Sequence, residues 1–179
     1  IDTAPPITTA SPTGDTYNSA QSVTLTCSDG SGSGCEKIYY TTDGTTPTTS
    51  SPVYSAPINI SVTTTLKFFA RDRAGNSETV KTQVYTIDTT SPTGTITINS
   101  GAASTNSVSV TLTLTCSDAQ GCSQIQFSND NITYSTPEAY VTSKALTLTT
   151  GDGTKTVYVK FKDIPGNWSV AYSLSLIHI

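Results

Sequence analysis

Apolar and polar residues alternate with a period of two along most of this chain, and no stretch carries the three-to-four spacing of an amphipathic helix. Over residues 21–27, Val23, Leu25 and Cys27 point one way and threonines the other, which predicts a half-buried strand. Residues 37–41 read as a second strand. Residues 64–71 form a stronger one, with Leu66, Phe68 and Ala70 on one face, and residues 79–87 form the last strand of the first half. Asp43-Gly44 and Asp72-Arg73-Ala74-Gly75-Asn76 are turns between them. Pro52 and Pro57 bracket Val53-Tyr54, which predicts an edge. The plan then returns. Residues 107–116 turn Val108, Val110, Leu112, Leu114 and Cys116 inward, and strands follow at 124–128, 144–150, 156–162 and 168–176. Val157, Val159 and Phe161 share a face, Asn129-Asp130-Asn131 replaces the Asp43-Gly44 turn, and Asp163-Ile164-Pro165-Gly166-Asn167 matches the five residues from Asp72.

The repeat organises the chain. Ile87-Asp88-Thr89-Thr90-Ser91-Pro92 is a near copy of Ile1-Asp2-Thr3-Ala4-Pro5-Pro6. Asp2 and Asp88 stand 86 residues apart, and Cys27 and Cys116 stand 89 apart. A period of this length suits an immunoglobulin-like sandwich better than a solenoid repeat. The expected fold is all-β: two tandem immunoglobulin-like (Greek-key) β-sandwich domains, residues 1–87 and 88–179. The Thr/Ser/Pro stretch around Asp88 reads as the joint between them.

Composition supports this and narrows the function. Of 179 residues, 35% are hydrophobic and 12% charged, with no Met and one His; Thr and Ser fill the gap, and Thr, Val, Ile and Tyr favour strands over helices. A net charge of −4 argues against nucleic acid or an anionic membrane surface as partner, and permits cation binding. No run is apolar and long enough to span a bilayer. With neither a leader nor an initiator Met, the sequence reads as a processed product or a fragment. Its last residues, Ser175-Leu176-Ile177-His178-Ile179, depart from the Tyr-Thr-Ile-Asp ending of the first half, which leaves open whether they are native, and His178 receives no role.

The four cysteines form two close pairs, Cys27 with Cys35 and Cys116 with Cys122, each bracketing a polar loop. Two local disulfides are expected, and with them an oxidising, extracellular or cell-surface compartment. A tetrathiolate metal site is the rival, but zinc sites want two to four residues between paired cysteines.

From Cys27 to Asp88 the first half resembles the chitobiase/β-hexosaminidase C-terminal type of bacterial Ig-like domain. The residues that carry the resemblance are Ile38-Tyr39-Tyr40-Thr41-Thr42-Asp43-Gly44-Thr45-Thr46-Pro47-Thr48 and Leu66-Lys67-Phe68-Phe69-Ala70-Arg71-Asp72-Arg73-Ala74-Gly75-Asn76. The second half keeps the Asp-x-x-Gly-Asn turn and the strand plan, so it resembles a more generic bacterial Ig-like domain. The resemblance implies a sandwich of about seven strands, used as an accessory or tandem module in secreted enzymes, adhesins and surface fibres. It assigns no reaction.

No catalytic set is apparent, and the chain is expected not to be an enzyme. The Glu residues 36, 78 and 138 form no paired-carboxylate motif, and Gly30-Ser31-Gly32-Ser33-Gly34 lies in a cysteine loop without the strand-to-helix context of a phosphate loop. The aspartates are the candidate chemistry. In an Ig-like sandwich the entry of the chain, the loop after the second strand and the last turn meet at one end. In the second unit that end should gather Asp88, Asp118 and Asp163 with Asn167, and in the first unit Asp2, Asp29 and Asp72 with Asn76. Clustered carboxylates repel unless neutralised, and calcium takes six to eight oxygen ligands of this kind. Ordinary turn chemistry is the competing account, since Asp-x-x-Gly-Asn also makes a tight turn by itself. Arg71 and Arg73 flank Asp72 and are candidates to neutralise it, which makes the joint at Asp88 the better cation site.

Aromatic residues raise a second possibility. Tyr39, Tyr54, Phe69, Tyr85, Tyr134, Tyr140, Tyr158 and Trp168 include candidates for a sugar-stacking platform, with Trp168, directly after a turn, the best single one. Cross-strand packing is their ordinary use. The expected role is an extracellular structural or adhesive module, part of a surface stalk, repeat array or filament. Its partners are neighbouring Ig-like domains or identical subunits, and calcium stiffens its joint. The alternative is a polysaccharide-binding accessory region of a secreted glycoside hydrolase.

Overall fold

The computed structural model describes residues 1–179, and it is all strand and turn apart from one short 3-10 turn, Asn99–Gly101. Internal contacts divide the chain into two units, Ile1–Thr89 and Thr90–Ile179. The joint residues Asp88 and Thr89 fall with the first unit, where the Asp88 N–H donates to the Tyr17 carbonyl (2.9 Å).

The first unit contains β1 (Ile7–Ser11), β2 (Thr16–Tyr17), β3 (Gln21–Ser28), β4 (Cys35–Thr41), β5 (Ile58–Ile60), β6 (Thr64–Asp72) and β7 (Lys81–Ile87). One sheet runs β1-β3-β5 and the other β2-β7-β6-β4. Their inner faces meet in a core of Val23, Leu25, Ile38, Ile58, Leu66 and Phe68, with Ile60, Ala70 and Tyr85. The alternation expected over residues 21–27 and 64–71 is present: Val23, Leu25, Leu66, Phe68 and Ala70 are all buried. Each such aliphatic or aromatic side chain contributes about 1.5–3 kcal/mol by leaving water. Tyr85 is wholly buried in β7, and its hydroxyl donates to the Pro12 carbonyl (2.7 Å). Burial, with Tyr17 beside it, pushes that phenol up to about 12.

Residues 52–54 form the expected edge. Val53 bridges Tyr39, and the Tyr54 N–H donates to the Ile38 carbonyl (2.8 Å). On the face of β4 and β6 away from the core, Tyr39 and Phe69 stack at 5.2 Å. The Asp43 turn is fixed locally: Asp43 Oδ1 accepts from the Thr45 N–H (3.0 Å) and hydroxyl (2.6 Å). These bonds, the Thr45 hydroxyl foremost, hold its carboxyl below the usual range.

The second unit contains β8 (Thr93–Ile98), β9 (Ser104–Thr105), β10 (Ser109–Ser117), β11 (Cys122–Ser128), β12 (Glu138–Ala139), β13 (Ser143–Thr147), β14 (Gly153–Asp163) and β15 (Tyr172–His178). Its sheets run β13-β10-β8 and β12-β11-β14-β15-β9. Val110, Leu112, Leu114, Ile125, Val157 and Phe161 lead a core that also takes Ile98, Phe127, Leu148, Val159 and Leu176. In both units the cysteine pairs are disulfides, Cys27–Cys35 and Cys116–Cys122, and no cysteine is free. No helix is long and apolar enough to cross a membrane.

Candidate functional site: two aspartate corners

In the first unit the end of β3, the disulfide loop and the β6–β7 turn come together beside the leading residues. The loop is tied to the turn by backbone: the Arg73 N–H donates to the Gly34 carbonyl and the Ala74 N–H to Ser33 Oγ, both at 3.0 Å. This brings Asp2, Asp29 and Asp72 together, each offering one carboxylate oxygen within 4.8 Å of the others.

Each carboxylate has its own anchors. Asp2 accepts from the Ser33 N–H through Oδ2 (2.7 Å) and from the Ala4 N–H through Oδ1 (3.1 Å). The Ser33 N–H first, then the Ser33 hydroxyl and the Ala4 N–H, hold the Asp2 carboxyl below its ordinary range. Asp72, with no exposed surface, accepts from the Asn76 N–H at Oδ1 and from Asn76 Nδ2 at Oδ2, both at 2.7 Å. Asn76 Nδ2 also donates to the Asp2 carbonyl at 3.2 Å. Asp29 Oδ2 accepts from the Gly34 N–H (2.6 Å), while Asp29 Oδ1 is buried with no hydrogen-bond partner.

Gly32 makes the close approach possible. A Cβ there would stand 2.5 Å from Asp29 Oδ2 and 2.8 Å from Asp2 Oδ2. The neutralisation expected from the flanking arginines is not what the structure contains: Arg71 Nε lies 4.0 Å from Glu36, and no ion pair joins Arg71 or Arg73 to Asp72. Asp72 is held instead by Asn76 of the turn it opens, while the Arg71 guanidinium lies near Gly75 of that turn, Nη2 standing 3.3 Å from where a Cβ would be. The ground for ranking the Asp2 corner below Asp88 is therefore removed.

The second unit repeats the local geometry. The Ile164 N–H donates to the Gly121 carbonyl (3.0 Å), tying the shorter disulfide loop to the turn. Asp118 Oδ1 accepts from the Gln120 N–H (2.8 Å). Asp163, also without exposed surface, accepts at Oδ1 from the Gly166 and Asn167 N–H groups (both 2.6 Å) and at Oδ2 from Asn167 Nδ2 (2.7 Å). Asp88 is itself buried. The expected turn chemistry of Asp-x-x-Gly-Asn is thus present in both units, since Asp72 and Asp163 each satisfy their own turn.

The aromatic candidates are less available than a platform requires. Tyr39, Phe69 and Tyr85 are buried, and Tyr54, Tyr134, Tyr140, Tyr158 and Trp168 are half-buried. Trp168 bridges Lys162, whose ammonium sits 5.7 Å from the indole centroid.

Sequence reasoning passed over Glu78. Its side chain is 6% exposed, and it accepts from the Thr8 N–H (3.0 Å), the Thr8 hydroxyl and the Ala70 N–H (2.8 Å) while pairing with Lys81 Nζ (3.1 Å). It pins β1 to β6, and with it the opening residues that include Asp2. A lone Glu between a turn and a strand carries no periodic signal that marks such a role.

No curated protein matches this chain. Among solved structures it is similar to the fibronectin(III)-like modules of Clostridium thermocellum CbhA, at 18% identity and a TM-score of 0.53, covering 96% of this chain and 94% of that one. It also aligns with the D00-D0 domain of intimin, at 16% identity and a TM-score of 0.41 over 97% and 99% of the two chains. The first of these likenesses supports the two-sandwich fold and nothing finer. Residues 12–82, most of the first unit, match the family described as the chitobiase/beta-hexosaminidase C-terminal domain, the family to which the turn and strand motifs of that unit point.

Proposed function

We propose that this chain is an extracellular structural or adhesive segment, part of a surface stalk, repeat array or filament whose joints are stiffened by calcium. The buried, unpartnered Asp29 Oδ1 carries the calcium reading. A carboxylate oxygen removed from water without a donor costs about 1–3 kcal/mol or more, and a cation at that point offsets it. The corner supplies hard oxygens for such an ion, the carboxylates of Asp2, Asp29 and Asp72, with Asn76 Nδ2 holding Asp72 in place. Gly32 leaves the space between two of them open. By the internal repeat, Asp88 stands to Asp118, Asp163 and Asn167 as Asp2 stands to Asp29, Asp72 and Asn76. A shared ion there would hold the entry of one module to its corner. Neighbouring Ig-like modules or identical subunits are then the partners, and the two disulfides suit the oxidising exterior where such arrays work.

Thermal melts with calcium, magnesium and chelator test this. Calcium at a hundred times its Kd adds about 2.7 kcal/mol, and the melting temperature rises with calcium concentration. Asp29→Asn removes most of that rise. A melting temperature indifferent to calcium and chelator ends the metal reading. Imaging of the native protein for filaments, with its intact mass, tests the array.

The second reading is an accessory region of a secreted glycoside hydrolase that binds polysaccharide. The family matched over residues 12–82 favours it, since that family is described as a C-terminal domain of chitobiase and β-hexosaminidase. Co-sedimentation with insoluble polysaccharides separates it from a purely structural role.

A further inference from the structure

We infer that the outward face of β11 and β14 in the second unit binds an acidic polysaccharide, one whose sugar units carry carboxylates. The inference rests on the second reading above and names the class of polysaccharide and the surface that takes it. Ile125, Val159 and Phe161 turn inward from these two strands, so Gln124 and Gln126 on β11 and Lys160 and Lys162 on β14 turn outward. They stand in register as two like rungs, Gln124 beside Lys162 and Gln126 beside Lys160. Each ammonium is seated on a ring: Lys160 Nζ lies 4.4 Å from the Tyr134 centroid and Lys162 Nζ 5.7 Å from that of Trp168. Lys162 Nζ also donates to Gln124 Oε1 (3.5 Å). The other outward residues of β14 and β15, Thr154, Thr156, Tyr158, Ser173, Ser175 and Ile177, carry no charge.

Charge complementarity points to the occupant. The chain carries a net charge of −4, yet no outward position of β11, β14 or β15 holds a carboxylate. On the neighbouring strand and loop the carboxylates are engaged elsewhere: Glu138 of β12 pairs with Lys144 (2.7 Å), and Asp130 Oδ1, after β11, accepts from Ser128, Ile132 and Thr133. Two ammoniums on alternate residues of one strand, about 6.8 Å apart along the backbone, repel each other. A face kept for solubility alone intersperses both signs, whereas a bound polyanion relieves that repulsion. At physiological salt, charges farther than about 8 Å are largely screened, so the net charge of the chain does not decide what a local face attracts. The rung itself names the partner chemistry. Its ammonium takes a carboxylate, and the amide beside it both donates and accepts, which suits a sugar hydroxyl. Repeating the rung along the strands suits a polymer that repeats the same two groups. The rings hold the lysines in place before any ligand arrives, a use for the half-buried Tyr134 and Trp168 that needs no exposed stacking platform. The first unit lacks the repeat: at the aligned positions Lys37 stands beside Arg71, which has Glu36 at 4.0 Å, and Tyr39 stands beside Phe69.

Affinity electrophoresis and titration calorimetry of the full chain test this, with soluble polygalacturonate and alginate against dextran, polyglutamate and single-stranded DNA. At least one of the two acidic polysaccharides is expected to bind at low salt and to weaken as salt rises, and dextran is expected not to bind. Lys160→Gln together with Lys162→Gln should weaken that binding by more than about tenfold, and Gln124→Ala together with Gln126→Ala several-fold. Lys160→Arg together with Lys162→Arg should retain it, which separates loss of charge from loss of folding, and Lys37→Gln in the first unit should change it little. Binding left intact by Lys160→Gln with Lys162→Gln overturns this surface. Equal affinity for polyglutamate or DNA overturns the sugar class, and with it the inference. Binding confined to neutral polysaccharides, soluble or insoluble, overturns the inference but keeps the accessory reading. No binding to any polysaccharide overturns both.

Discussion

At the scale of single residues, buried side chains with several partners matter most. Glu78 satisfies two backbone N–H groups and a hydroxyl and pairs with Lys81. Glu78→Ala leaves donors on two strands without partners, so a loss of about 3–5 kcal/mol is expected in chemical denaturation. Glu78→Gln keeps one acceptor oxygen and should lose clearly less; equal losses would show that the hydrogen bonds to Thr8 and Ala70 are not what matters. Asp130 is an exposed counterpart in the second unit. Its Oδ1 accepts from the Ile132 N–H, the Ser128 hydroxyl and the Thr133 N–H, which bring its pKa down to about 2. A carboxyl whose folded pKa lies below the unfolded value of about 3.9 stabilises fully above that value. That stability is lost as pH falls from about 4 toward 2. Asp130→Asn keeps an acceptor oxygen but cannot titrate, so the stability of the variant should fall less steeply across that window. A carboxyl carbon titrating near pH 4 in NMR would contradict the assignment. Little of this is legible in the sequence: the Asn-Asp-Asn setting marks Asp130 as a turn residue, but Glu78 acts across sheets, and sequence spacing does not carry such contacts.

At the scale of elements, period-two alternation carried the reading where strands have one apolar face. β3, β6, β10 and β14 all fall where the alternation puts them, with the inward residues buried. β1, β5 and β8 lie outside the strands the alternation predicts, as do the two-residue strands β2, β9 and β12, for physical reasons. β5 spans only Ile58–Ile60, too short to show a period, and β1 buries Thr8 where a hydrophobic residue would have signalled a strand. Thr8 can be buried because Glu78 accepts its N–H and Lys81 Nζ donates to its carbonyl, which also closes the free edge of β1. In β8 the matching position is Gly94, and the ring of Phe161 takes the space. A Cβ there would lie 2.4 Å from both the ring and the Thr115 carbonyl. Gly94→Ala is therefore expected to cost about 1–3 kcal/mol by overpacking, and an unchanged midpoint in urea would refute that packing. The disulfide loops act at this scale too. Opening Cys116–Cys122 by the paired serine substitution should cost about 2 kcal/mol, since the loop is short.

At the scale of the molecule, the chain is two units, each with its own core. The cluster led by Val23, Leu66 and Phe68 and the cluster led by Leu112, Val157 and Phe161 have no residue in common. The near copy of the opening residues at Ile87 made the duplication legible, because a repeat of about ninety residues is one sandwich long. The aspartate corner was legible for the same reason, since the fold fixes which loops share an end, whereas the orphaned Asp29 oxygen and the role of Gly32 depend on the path of one loop. Separate cores predict separate folding. A chain of residues 90–179 with its disulfide intact should unfold in one cooperative transition, because it keeps every member of its core and both of its sheets. Loss of near-ultraviolet circular dichroism in that fragment would contradict this. The proposed ion adds a second expectation, since residues 90–179 lack Asp88 and keep Asp118 and Asp163. Calcium should then raise the melting temperature of the fragment much less than that of a chain beginning at Ile87. Equal shifts would mean that Asp88 is no ligand and that calcium, if bound, does not act at the joint.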